Sequence, residues 1–173
     1  MGSFHSANVA SIDGYKNGIQ TSIEVMVVTP WFPEAVKMLR ENPGSDVGLH
    51  LVLTSEWENI KWRPLTPCPS LVDENGYFFP MMGANKDYPG QSISENKWKL
   101  SEIEQEFRTQ IEMGLRNIPQ ASHLSGHMFS TGFHPDVVAL AKRLSEEYNL
   151  PIMDRVDAAE QYGFTFIGYD GPK

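Results

Sequence analysis

The stretch Asp46-Val47-Gly48-Leu49-His50-Leu51-Val52-Leu53-Thr54 is the strongest constraint on how this chain can fold. Its run of valines and leucines is the composition of a strand buried on both faces of a parallel sheet. One imidazole, His50, interrupts it. A neutral histidine can sit in such a strand as a satisfied core residue, or stand at the carboxyl end of the strand and ligate a metal. This stretch alone leaves both readings open.

The residues on either side set the rhythm. His5 to Asn17 reads as a helix with a mixed apolar face (Ala7, Val9, Ala10, Ile12) and Gly18 as its stop. Residues 21–28 read as a β-branched strand ended by Thr29-Pro30. Pro33 suits a first helical turn, and Glu34 to Glu41 continue that helix until Asn42-Pro43-Gly44. Asp46 to Leu53 is the next strand. Helix, strand, helix and strand joined by short links predict right-handed βαβ units on a parallel sheet.

From Ser55 to Trp98 the rhythm breaks into a long insertion carrying Trp57, Trp62, Pro64, Pro67, Pro69 and Pro80. Within it, residues 71–79 predict a hairpin whose Asn75-Gly76 pair suits a type I′ turn. A loop of this length is either a lid packed for stability or a substrate wall with aromatics against sugar faces. Ser101 then opens a helix with Glu102 and Glu104 in its first turn, running to about Asn117 through Ile103, Phe107, Ile111 and Leu115. A short strand follows at 121–127, a loop at 128–133, and a helix that starts at His134-Pro135-Asp136 and ends at Asn149. Further short strands are expected at 150–153 and 164–168, with a helical turn at 157–162. The five candidate strands fit a (β/α) barrel or an open α/β sheet. The chain has 173 residues, short of the roughly 250 and eight strands of a full barrel.

Composition narrows the function. The net charge of −8, with scattered Lys and Arg, argues against a nucleic-acid groove or an anionic membrane surface. No run of about 18 apolar residues is present to span a membrane. A single cysteine, Cys68, excludes an internal disulfide and a cysteine metal cluster and shows no His-paired nucleophile signature. Together with a start that lacks secretory-signal features, this points to the cytoplasm.

In α/β folds of this kind, chemistry gathers at the carboxyl ends of strands. His50 lies late in one strand and His127 at the end of another. Two imidazoles at one rim can supply two of the three protein ligands of an open hydrolytic metal site. Spacing alone does not single them out.

The segments Gly18-Ile19-Gln20-Thr21-Ser22, Val25-Met26-Val27 and Glu41-Asn42-Pro43-Gly44, followed by residues 47–54, resemble the YdjC-like carbohydrate deacetylases, which include chito-oligosaccharide deacetylases. Residues 69–76 match the segment that follows in that family. Ser122-His123-Leu124-Ser125-Gly126-His127 resembles its Thr-His-Leu-Asp-Ser-His motif. The similarity runs through nearly the whole chain in order. It implies a TIM-like (β/α) barrel with one divalent metal ion, magnesium or zinc, held by an Asp and two His. It places the two His ligands at His50 and His127. The implied reaction is hydrolysis of acetyl groups from N-acetylated sugars or oligosaccharides. Non-catalytic sugar binding on the same fold and another barrel metallohydrolase are the alternatives.

The chain also departs from the family pattern. The family begins with a strand ending in Asp-Asp-Phe-Gly, and Met1-Gly2 aligns with its Phe-Gly. The base and the carboxylate ligand are therefore expected before Met1, and the C-terminal strands beyond Lys173. Ser125 replaces a common Asp. These features predict an incomplete barrel lacking its first strand, weak or no deacetylase activity, and a homo-oligomer covering the edge of the strand at 21–28.

Other polar residues receive blander expectations. Glu24 is expected as an interior acid below the rim, paired with Lys, Arg or a hydroxyl. His123, about 13 Å behind His127 along the strand, is expected in the core or lower rim. Asp13 and His5 are expected to be solvated, and His134 to sit at a helix start. Asn8, Ser130 and Thr131 are candidates for substrate contact, with capping or loop support as the other reading for Asn8.

Overall fold

The computed structural model describes residues 1–152. The expected helical turn at 157–162 and strand at 164–168 lie outside the described residues. Helix α1 (His5–Asn17) leads to strand β1 (Ser22–Val25), helix α2 (Phe32–Arg40) and strand β2 (Asp46–Leu51). After the insertion come helix α3 (Leu100–Asn117), strand β3 (Ala121–Gly126) and helix α4 (Pro135–Tyr148). The three strands form a parallel sheet in the order β1-β2-β3. Ile152 adds a single parallel bridge to Leu124 beyond β3. The protein is therefore α/β with parallel βαβ connections, as the alternation of elements predicts. No helix of the described residues is long and apolar enough to cross a membrane.

The two faces of the sheet differ in chemistry. Ile23, Val25, Val47, Leu49, Leu51 and Leu124 point to one face and are buried. Helix α3 lies on that face so closely that a Cβ at Gly114 would come within 2.6 Å of the Leu49 side chain. Register puts Glu24 beside Gly48, Gly48 beside His123, and His50 beside Ser125, so these residues share the opposite face. From Val47 to Leu51 β2 is buried apart from the part-buried His50, which fits the expected strand covered on both faces. Each strand alternates, and the polar members line up in rows.

Both leading strands end earlier than expected, for identifiable reasons. β1 stops at Val25 because the Thr29 hydroxyl takes the Met26 carbonyl at 2.6 Å and draws the chain into a turn before Pro30. β2 stops at Leu51 because the Gln110 side-chain amide of α3 takes both backbone groups of Val52. Its Oε1 accepts from Val52 N at 2.9 Å, and its Nε2 donates to Val52 O at 2.8 Å. On the outer edge of β1, the Met1 amino group donates to Glu24 O and Met1 O accepts from Met26 N.

The insertion is irregular and pinned to α3. Glu106, fully buried, accepts from Leu65 N, Thr66 N and the Thr66 hydroxyl. Glu102 accepts from Ser70 N at 2.9 Å. Helix α3 begins at Leu100 with Lys99 at its N-cap, so Ser101 is not the cap. The hairpin reduces to one antiparallel bridge, Val72 to Phe78. Its turn is not type I′. Gly76 N donates to Asp73 O, and Gly76 alone of the turn residues has positive φ, at 78°. That is the geometry of a type I turn closed by a left-handed glycine, with one more loop residue than a two-residue hairpin.

Candidate active site

His50 stands near the carboxyl end of β2, and His127 opens a 3-10 turn immediately after β3. Their rings meet edge to face, with centroids 5.2 Å apart. The fold thus brings together the two imidazoles singled out by sequence.

Behind His50 runs a hydrogen-bonded row. His50 Nδ1 is 2.6 Å from Ser125 Oγ, which in turn lies 2.5 Å from Glu24 Oε2. Glu24 Oε1 faces His123 Nε2 at 2.8 Å. Glu24 can cross β2 because Gly48 leaves a slot. A Cβ there would lie 2.4 Å from both Glu24 Oε1 and His123 Nε2. Ser122 Oγ donates to Asp46 Oδ1, so it accepts from His123 Nδ1 at 2.8 Å. Both ring nitrogens of His123 then carry protons between two carboxylates.

Electrostatics follow this geometry. The hydrogen bond to Glu24 raises the His123 pKa above the ordinary imidazole value, against burial. Burial opposes charge on Glu24, but the hydrogen bonds from His123 and Ser125 outweigh it and lower its pKa. Burial, then the neighbouring His127, push His50 down to about 4, so it is a neutral imidazole at physiological pH.

His127 has a carboxylate of its own. Its Nε2 donates to Glu56 Oε1 at 3.0 Å, and the Thr54 hydroxyl donates to the same oxygen. Burial opposes charge on Glu56, yet these two hydrogen bonds keep its pKa below the ordinary value. Two imidazoles that meet edge to face are nitrogen donors suited to a divalent cation. Nδ1 is the only His50 nitrogen with a hydrogen bond among the described residues, which leaves Nε2 free to ligate. Also among the described residues, no group of three or more His, Cys, Asp or Glu is arranged to hold a metal. The pair fits as part of a ligand set.

The other sequence candidates fall outside this cluster or behind it. Asn8 is fully buried and accepts from Gly2 N at 2.7 Å while donating to Trp31 O and Glu34 Oε2, which is loop support for the chain entry. Ser130 is buried, with its hydroxyl donating to Leu51 O at 2.6 Å. Thr131 is buried beside it. His5 is exposed and paired with Glu34, and His134 caps α4 by accepting from Asp136 N. Trp62 is buried with its indole N–H on Thr54 O, whereas Trp57 is half exposed against Phe4.

The sequence profile described as YdjC-like protein matches residues 1–166. The chain belongs to the YdjC family. Among curated YdjC relatives, carbohydrate deacetylase 2 of Listeria innocua is 33% identical, over 88% of this chain and 56% of its own length. A carbohydrate deacetylase of Enterococcus faecalis is 31% identical, over 82% of this chain and 50% of its own. A crystal structure of an Enterococcus faecalis protein named a cellobiose-phosphate cleavage protein superposes with a TM-score of 0.72 at 27% identity. It covers 88% of this chain and 55% of that one. The chain thus spans about half the length of the curated relatives it matches.

Several functional features of this YdjC chain escape sequence reasoning. Glu56 carries no periodic signal, because it sits in irregular backbone. Glu24 reaches the site only through the slot at Gly48; its hydroxyl partner, Ser125, is among those expected, and His123 stands where Lys or Arg was the other expectation. Glu106 and Gln110 did leave a trace, as polar residues on the helical stripe of Ile103, Phe107, Ile111 and Gly114. Met128 and Phe129, directly after His127, are exposed and hold positive φ of 48° and 66°. Consecutive non-glycine residues in that region store strain, which proteins concentrate at functional sites.

Proposed function

We propose that this YdjC-family chain carries part of the active site of a metal-dependent hydrolase that removes acetyl groups from N-acetylated sugars, on a sheet belonging to a (β/α) barrel of TIM type. The edge-to-face pair of His50 and His127 at the strand ends carries the reading. The names of the curated relatives support the substrate class.

In this reading His50 and His127 hold one divalent cation, magnesium or zinc. Such a cation supplies Lewis acidity toward an amide carbonyl and charge stabilisation for the developing oxyanion. The chain's own groups do the rest. Ser125 and Glu24 fix the back of the His50 ring. Glu56 is the ionised carboxylate placed to hold or accept a proton beside His127. Trp57, half exposed beside Phe4, offers an aromatic face to a sugar ring.

Metal content and acetate release from N-acetylated chito-oligosaccharides test this reading in wild type, His50→Ala and His127→Ala. The expected result is loss of bound metal in both variants, and of whatever acetate release the wild type shows. Unchanged metal stoichiometry in either variant would refute the shared site. Sugar binding by a wild type that takes up no metal would assign the chain to carbohydrate binding instead.

A further inference from the structure

The hydroxyl of Ser125 has two neighbours and one proton. It lies 2.6 Å from His50 Nδ1 and 2.5 Å from Glu24 Oε2. An ionised carboxylate only accepts, so the Ser125 O–H donates to Glu24 and its oxygen accepts from His50 Nδ1–H. A neutral imidazole protonated at Nδ1 carries its lone pair on Nε2. Metal-ligating histidines are commonly oriented in this way, by a partner on the nitrogen remote from the metal.

The carboxylate behind this relay is itself held at both oxygens. Glu24 Oε1 takes His123 Nε2, and the slot at Gly48 keeps the two in place. The direct separation between His50 Nδ1 and Glu24 Oε2 is 3.6 Å, so the serine mediates the contact.

We propose that Glu24, acting through the Ser125 hydroxyl, is a positioning residue that fixes His50 as the Nδ1–H tautomer and presents its Nε2 to a divalent cation. The proposal rests on the reading of His50 as a ligand. It adds a carboxylate from β1, two strands away from Ser125, to the machinery of the site.

The test uses the full chain labelled with ¹⁵N-histidine and stripped of metal. Two-bond ¹H–¹⁵N spectra report which nitrogen of His50 is protonated, and competition with a chromophoric chelator reports Zn²⁺ affinity. Wild type is expected to show the Nδ1–H form. Ser125→Ala and Glu24→Gln are each expected to lose that preference and to bind Zn²⁺ about 10- to 100-fold more weakly. Adding Ser125→Asp to Glu24→Gln restores a carboxylate directly behind Nδ1 and is expected to recover both readouts. If Ser125→Ala fails to fold by circular dichroism, Glu24→Gln and the rescue pair decide the matter. A wild-type His50 protonated at Nε2 would overturn the proposal, as would variants with unchanged tautomer and affinity. If wild type shows the Nδ1–H form but binds no Zn²⁺, the proposal also falls, and the fault then lies in the ligand reading rather than in the relay.

Discussion

Glu24 Oε1 and His123 Nε2 lie 2.8 Å apart over Gly48, each 2.4 Å from where a Cβ on that glycine would stand. Two outer strands therefore touch across the strand between them. Gly48→Ala must push the pair apart and is expected to destabilise the fold by about 1–3 kcal/mol, the usual cost of overpacking. Urea unfolding measures it. In a Glu24→Ala background the cost should fall by half or more, because one of the two collisions is gone. Equal costs in both backgrounds would locate the collision elsewhere.

Acid should weaken the metal-free protein through His50. Its folded-state pKa of about 4 lies below the ordinary value of 6.5. Above pH 6.5 both the folded and unfolded states are neutral at this residue, and its contribution is fully present. As pH falls toward 4 the unfolded chain takes up the proton first, and up to about 3 kcal/mol is lost. His123 runs the other way: its raised pKa gives stability that is fully present below pH 6.5 and lost as pH rises through the folded value. Denaturant titrations from pH 7 to 4 should show the acid loss in wild type and a flatter limb in His50→Asn. Identical slopes would contradict the assignment.

Leu65 and Thr66 of the insertion are anchored by one buried carboxylate. Glu106→Ala removes the acceptor for Leu65 N, Thr66 N and the Thr66 hydroxyl. A loss of about 2–4 kcal/mol is expected, less whatever water recovers. Hydrogen exchange at the Leu65 and Thr66 amides should accelerate beyond the global change. Protection that persists at both would show that Glu106 is not their anchor.

Strain after His127 can be read by substitution. Met128 sits at φ 48° with its side chain half exposed, so little packing is lost on replacement. Met128→Gly is expected to leave stability unchanged or raise it by up to about 1 kcal/mol. Met128→Val, β-branched at the same φ, should lower it by more than about 1 kcal/mol. Equal thermal midpoints for the two variants would mean that the backbone relaxes out of the left-handed region.

Local signals were enough for much of the architecture. The bounds of α1 were legible because Gly18 stops the helix, and the start of β2 because Gly44 closes the preceding turn. His50 and His127 could be singled out because strand ends and family-like flanking residues agree on them. What could not be read depends on side chains crossing between elements. The end of β2 is set by Gln110 from a helix far along the chain. The polar row behind His50 exists only once β1, β2 and β3 are in register, and a lone glycine does not announce that a carboxylate will pass over it. The turn at Gly76 shows a subtler limit: the dipeptide fits two hairpin geometries, and loop length decides between them.

Gln110 ends the sheet by imitating a strand. Its amide offers Val52 the same donor and acceptor that a neighbouring peptide would. The rim beside His50 is thereby bolted to a helix instead of a ladder. A sideways slip of α3 would drag that rim with it, so the helix on the far side of the sheet is a mechanical handle on the cluster of imidazoles.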